Sequence, residues 1–179
     1  MKTLNVIWLM VMASVLNIMP IFGQSESKNN KIIADSNTAK TEFLAADSLL
    51  KGIFDTAYGY VIFPNVGKGG IGVGGAAGNG AVYEQGKVIG MAKLSQVSVG
   101  FQAGGQAYRE VLFFESKKDL ERFKNSQLEF SAEVSAVAVT AGASAKAKYA
   151  KGVMVFTMQK GGLMYQASVG GQKFKFKKM

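Results

Sequence analysis

Apolar residues in the first third of the chain recur at helical spacing. Ala39, Phe43, Ala46, Leu50 and Phe54 stand four, three, four and four residues apart, the stripe a helix lays on a core. Asp47 is a good N-cap residue, and Gly52 weakens a helix interior by about 1 kcal/mol relative to Ala, so the stripe admits one helix from Asp35 or two short ones. A further short helix is predicted near residues 117–125. Ser116 and Asp119 approximate a capping box there, and Leu120 and Phe123 supply the inward face.

The remaining pattern is that of strands. Tyr58 to Phe63 is aromatic and β-branched and is expected to stop at Pro64-Asn65. Glu84-Gln85-Gly86-Lys87 reads as a turn between two short strands, and apolar runs follow at Leu94 to Phe114, Phe130 to Tyr149, Val153 to Met158, Leu163 to Val169 and Gln172 to Lys177. Within Phe130 to Tyr149 the Ala-rich part competes for helix, but Val137, Val139 and Thr140 favour strand. The expected class is α+β: a mainly antiparallel β sandwich or barrel-like sheet, with helices at the N-terminus and one near residues 117–125. A strand followed by Lys-Gly-Gly occurs twice, at Gly59–Phe63 with Lys68-Gly69-Gly70 and at Gly152–Phe156 with Lys160-Gly161-Gly162. Either a hairpin has been duplicated or similar turns have recurred for backbone reasons.

Met1 to Gly23 carries one charge, Lys2, and an uncharged run from Val6 to Leu16, too short to span a bilayer. Pro20 breaks the segment and Gly23 precedes Gln24, so residues 1–23 are read as a signal peptide, residues 24–34 as a polar tether and residues 35–179 as a single domain. The expected location is the periplasm or cell envelope; an uncleaved N-terminal anchor is the alternative.

Composition narrows the chemistry. Cysteine and histidine are absent from the 179 residues, which removes disulfides, thiol nucleophiles, histidine-based triads and the usual zinc sites. No cofactor and no metal are expected. Gly70-Ile71-Gly72-Val73-Gly74-Gly75 fits the letters of the dinucleotide fingerprint, but its glycines alternate with β-branched residues and do not open a helix, so it is read as a strand with one bare face. Such a face permits close approach of another backbone or forms a shallow groove.

Charge is segregated along the chain. There are 21 Lys+Arg and 12 Asp+Glu, a net charge of +9. All the acids lie before Val134. After it come Lys146, Lys148, Lys151, Lys160, Lys173, Lys175, Lys177 and Lys178 with no compensating carboxylate. Strand alternation puts Lys173, Lys175 and Lys177 on one face and Phe174 and Phe176 on the other, and puts Lys146 and Lys148 on a shared face. Lysines also guard sheet edges against aggregation without binding anything, yet eight of them exceed that need, so an anionic partner is preferred. Arginine, which reads bases and phosphates bidentately, occurs only as Arg109 and Arg122. An anionic lipid or membrane surface therefore fits better than nucleic acid.

The segments Gly59-Tyr60-Val61-Ile62-Phe63-Pro64, Val66-Gly67-Lys68-Gly69-Gly70, Gly72-Val73-Gly74-Gly75, Gln102-Ala103-Gly104-Gly105-Gln106 and Gly161-Gly162-Leu163 occur in the order of the SYLF domain, which the chain resembles from about Asp35 onward. The resemblance implies a non-enzymatic lipid-binding module. Eukaryotic members bind phosphoinositides, and some regulate cortical actin; for an exported protein, lipid binding transfers better than actin binding. Lys68 lies inside a matching segment and Lys160 in its echo. The expected basic face thus comprises Lys68, Lys146, Lys148, Lys160, Lys173, Lys175 and Lys177. Two readings compete with it. One is a structural envelope protein acting through a second copy or a protein partner; the other is a carboxylate hydrolase using Glu110, Glu129 or Glu133, which requires two acids facing each other in a cleft.

Overall fold

The structure, a computed structural model, describes residues 21–71, 73–99, 106–128, 136–160 and 169–179. The chain divides into two compact units, Met1–Lys31 and Ile32–Met179. Of the first, only residues from Ile21 on are described, and they are helical. The proposed signal peptide lies almost wholly outside the described residues. No described helix is long and apolar enough to cross a membrane.

Helix α1 (Ile21–Ala46) begins upstream of Asp35, so residues 24–34 are helical rather than a loose tether. Polar composition forbids burial, not helicity, and the side chains of residues 25–28 are exposed as their composition requires. The stripe is interrupted after Ala46, where Asp47 Oδ1 accepts the Leu49 N–H at 3.1 Å, and helix α2 (Leu50–Thr56) follows. Of the two arrangements the stripe admitted, the chain takes two helices. Ala39, Phe43, Leu50 and Phe54 are all buried.

Among the described residues seven strands form one sheet: β1 (Gly59–Ile71), β2 (Val73–Glu84), β3 (Lys87–Val99), β4 (Gln106–Phe114), β5 (Ala136–Ala138), β6 (Val153–Gln159) and β7 (Gln172–Lys178), in the spatial order β5-β6-β4-β1-β2-β3-β7. All pairs are antiparallel except β5 with β6. Helix α3 (Lys117–Lys124) starts with the anticipated capping box between Ser116 and Asp119, and Leu120 and Phe123 are fully buried. The Gln85-Gly86 turn between β2 and β3 has positive φ at both residues, the backbone a two-residue hairpin needs.

Strand β1 does not stop at Pro64-Asn65. Its register shifts between Ile62 and Asn65 and pairing then resumes, so Pro64 occupies a bulge, where its missing N–H costs no ladder bond. Lys68-Gly69-Gly70 accordingly lies within β1 and is not itself a turn. The two similar strands β1 and β6 flank β4, with Val61 and Val155 both paired to Leu112.

The sheet is open yet strongly curled. Strands β4 and β7 are four spacings apart, about 19 Å across a flat sheet. Nevertheless Gln172 Nε2 of β7 donates to Glu110 Oε2 of β4 at 2.9 Å, and the rings of Phe63 and Phe174 lie 5.9 Å apart. The inner face of the curl carries a core of Val61, Phe63, Leu94, Leu112, Phe114 and Phe174, covered by Leu120 and Phe123 of α3. On the outer face α1 and α2 cover Tyr60, Ile62, Tyr83, Val111, Phe113 and Phe156. The class is α+β as expected, with helices on both faces of a mainly antiparallel sheet. Of the two arrangements anticipated it is the barrel-like sheet, curled but not closed, because the described strands from β5 to β7 form one continuous ladder.

The bulge in β1 presses its backbone against the neighbouring β2, which explains part of the glycine pattern. A Cβ on Gly80 would lie 2.4 Å from the Ile62 carbonyl oxygen and 2.8 Å from the Phe63 ring. At Gly67, on the outer face, the same atom meets nothing within 4 Å. Gly80→Ala is therefore expected to destabilise the domain by about 1–3 kcal/mol in urea unfolding, whereas Gly67→Ala stays within about 0.5 kcal/mol of wild type. Equal effects would show that close approach of the β1 bulge does not select Gly80.

The expected strand from Phe130 to Tyr149 is largely not found. Residues 129–135 lie outside the described residues; Ala136–Ala138 is strand, and Ala143–Lys146 is a turn of 3-10 helix. Small Ala side chains bring little cross-strand packing, while the Ser144 N–H is taken by Asp47 Oδ2 at 2.8 Å, tying this segment to the α1–α2 junction instead. The run Leu94 to Phe114 is split between β3 and β4, and the run from Leu163 lies outside the described residues up to 168.

Candidate functional site

Registers across β1, β2, β3 and β7 place side chains in rows on the uncovered part of the outer face. One row is Asn65, Asn79, Lys93 and Lys175, each directly paired with the next. The next row is Gly67, Ala77, Ser95 and Lys173, and on the other side Met91 is paired with Lys177. Asn65, Gly67, Ala77, Asn79, Lys93, Ser95, Lys173, Lys175 and Lys177 are all exposed, and Val97 beyond them is 75% exposed. The surface is shallow because three of its residues carry little or no side chain.

The lysines need this geometry to be explained. Lys93 and Lys175 stand directly opposite across the β3–β7 pair, with Lys173 and Lys177 alternating beside them. Like charges in direct cross-strand register destabilise a sheet. The described ion pairs, Lys51–Asp55, Arg109–Glu42, Arg122–Asp119 and Lys124–Glu121, include none of the four. Nor is there an acidic side chain among the described residues of these rows. The arrangement costs the fold something and presents an uncompensated cationic plate to solvent.

Only part of the predicted basic face is assembled here. Lys173, Lys175 and Lys177 share the plate. Lys160 lies at its far side: its main-chain N–H donates to Ala107 O at 3.0 Å and its ammonium donates to Asn65 Oδ1, at the start of the Asn65–Lys175 row. Lys146 and Lys148 are exposed but lie at the end of the 3-10 turn beside Asp47 and just after it, next to the β5–β6 end of the strand order, the opposite end from β7. Lys68 is on the other face altogether, because its register partners run through Ala76 and Gln96 to Gln172, which are buried inside the curl. The expected single face is thus divided, since the bulge and the sheet order separate lysines that charge counting along the chain had grouped.

Lys93 was missed by that counting. It belongs to the half of the chain in which bases and acids balance, and only cross-strand register reveals its place opposite Lys175. The alternation of exposed Lys93 and Ser95 with buried Leu94 and Gln96 was the available signal.

The candidate carboxylates do not form a catalytic pair among the described residues. Glu110 is fully buried and faces Gln172, while Glu129 and Glu133 lie outside the described residues. No group of three or more metal-ligating acidic side chains occurs among the described residues.

Residues 95–178, a little under half of the chain, match the family model described as Ysc84, Las17-binding protein actin regulator, and this region is similar to that family. The match includes β4, β6, β7 and most of the lysine plate. The chain is also similar to Beta cell expansion factor A of Aeromonas veronii, 27% identical over 147 residues. That alignment covers 78% of this chain and 53% of the relative, so the chain spans about half the length of the curated protein it matches.

Proposed function

We propose that the domain is an exported, non-enzymatic module that binds anionic lipid surfaces through the plate formed by Lys93, Lys173, Lys175 and Lys177, with Lys160 at its margin. The carrying observation is the direct opposition of Lys93 and Lys175 in rows whose described residues include no carboxylate. The similarity of residues 95–178 to the SYLF family supports the lipid as partner, and the low relief of Gly67, Ala77 and Ser95 suits a planar surface better than a small molecule. The same similarity supports a non-enzymatic role. The anticipated signal peptide supports the cell envelope as the place of action.

Magnitudes define the kind of binding. Four lysines at about 1 kcal/mol each give roughly 4 kcal/mol, a dissociation constant on the order of 1 mM per domain. Such binding is governed by screening, whose range shrinks from about 8 Å at physiological ionic strength to about 3 Å at 1 M salt. Co-sedimentation of the domain with anionic vesicles is expected to be strong at low salt and lost at 1 M, with little binding to zwitterionic vesicles at any salt. Equal binding to both vesicle types, or binding to neither, overturns the reading.

A further inference from the structure

The inner face of the curl contains a polar group that lipid binding does not use. Glu110 is fully buried at the centre of β4, and its only described hydrogen bond is the one Oε2 accepts from Gln172 Nε2; Oε1 has no partner. Gln172 is buried too, with its own Oε1 unpartnered, as is the Tyr108 hydroxyl two residues from Glu110 on the same face. These three side chains converge from strands at widely separated places in the sheet. Among the described residues β7 forms a ladder with β3 alone, at the end of the strand order, so the Gln172–Glu110 bond is a strut from that strand back to the body.

We propose that Glu110 is a proton-operated latch: as a neutral carboxyl it holds Gln172 and so keeps β7 closed over the curl, and its ionisation releases that strand.

The neighbours of Glu110 leave a carboxylate there without compensation. On its own strand Tyr108 is neutral, its hydroxyl pushed up by burial and by Glu110 itself. Across β1 and β6 it is paired with Phe63 and Thr157. From β3 and β7 come Gln96, Gln172 and Phe174, while Lys93, Lys173, Lys175 and Lys177 point to the opposite face. Lys68 shares the inner face but lies farther along β1, level with Gln106. Helix α3 contributes Leu120 and Phe123, its Asp119 being engaged with Ser116 and Arg122. Burial pushes the Glu110 carboxyl up to about 8, the Gln172 hydrogen bond opposing this. A carboxyl whose proton is held more tightly in the closed than in the open state favours closure fully below the ordinary value near 4.5. That preference is lost, up to tenfold per pH unit, as pH rises to about 8. Since β7 carries three of the plate lysines, the latch, on the reading proposed above, also governs how firmly the plate is presented.

Hydrogen exchange of the lipid-free domain tests this independently of any membrane. Amide protection factors in Gln172–Lys178, corrected for intrinsic exchange, are expected to fall by up to tenfold per unit between pH 5 and 8 in wild type. They should be flat in Glu110→Gln, while β1 amides change less in both. Identical profiles in the two proteins, or a fall spread equally over the whole sheet, overturn the latch. Should Glu110→Gln fail to fold, carbon-detected titration of wild-type Glu110 decides: a midpoint above about 6 supports the proposal and one below it rejects it.

Discussion

Replacing Lys93, Lys173, Lys175 and Lys177 together by Glu is expected to abolish co-sedimentation with anionic vesicles. Neutralising four lysines removes roughly 4 kcal/mol, close to a thousandfold in partitioning, and reversing them adds repulsion of the same order. The folded state should tolerate the change, because all four side chains are exposed and make no described ion pair, and surface substitutions of this kind usually stay within about 0.5 kcal/mol each. The comparison is Lys146→Glu with Lys148→Glu, which alters the charge at the other end of the sheet order. Binding by that variant is expected to remain within about tenfold of wild type, below what removing two engaged lysines would cost. If the two variants lose binding in proportion to their charge alone, the plate has no special role and only net charge matters.

The largest effect on stability is expected at Phe113. Its ring is fully buried between the sheet and the N-terminal helices, edge-on to Phe54 of α2 at 4.7 Å and to Phe156 of β6 at 5.9 Å. Tyr60 of β1 lies 6.0 Å away. Removing the ring deletes apolar burial, three aromatic contacts and the surface that docks α2. Phe113→Ala should therefore cost about 3–5 kcal/mol, against a total stability of about 5–15 kcal/mol for a domain of ordinary size. In a domain of this length that lowers the melting temperature by roughly 6–20 °C. A loss below about 1 kcal/mol in urea unfolding would mean that α1 and α2 are held by something other than this aromatic cluster.

Local patterns anticipated those features whose physical cause is local. The α3 capping box needs only Ser116 and Asp119 at the right spacing, and the β2–β3 turn needs only Gln85-Gly86. Period-two alternation in β7 fixed that Phe174 would face inward and Lys173, Lys175 and Lys177 outward, which is what the sheet shows. Where an outcome depended on distant residues, local reading went astray. Pro64-Asn65 looked like a stop, but pairing with β2 and β4 on either side carries the strand through a bulge. Val137, Val139 and Thr140 favoured a long strand, but the carboxylate of Asp47 captured Ser144 and drew the segment into turns.

Read alone, the chain established that it has a substantial core, that it lacks the cysteine and histidine of thiol and histidine-based catalysis, that its positive charge gathers toward the end, and that β7 has one basic and one aromatic face. Composition and short-range periodicity suffice for these, because they follow from residue chemistry and backbone geometry alone. Tertiary structure decided which lysines stand together. Lys93, more than 80 positions before Lys175, became its direct neighbour, while Lys68 was turned to the opposite face. It also decided that Glu110 is enclosed, since four strand spacings had to curl before Gln172 reached it. Electrostatic and hydrogen-bonding partners are set by distance through space, and the order and register of strands fix that distance.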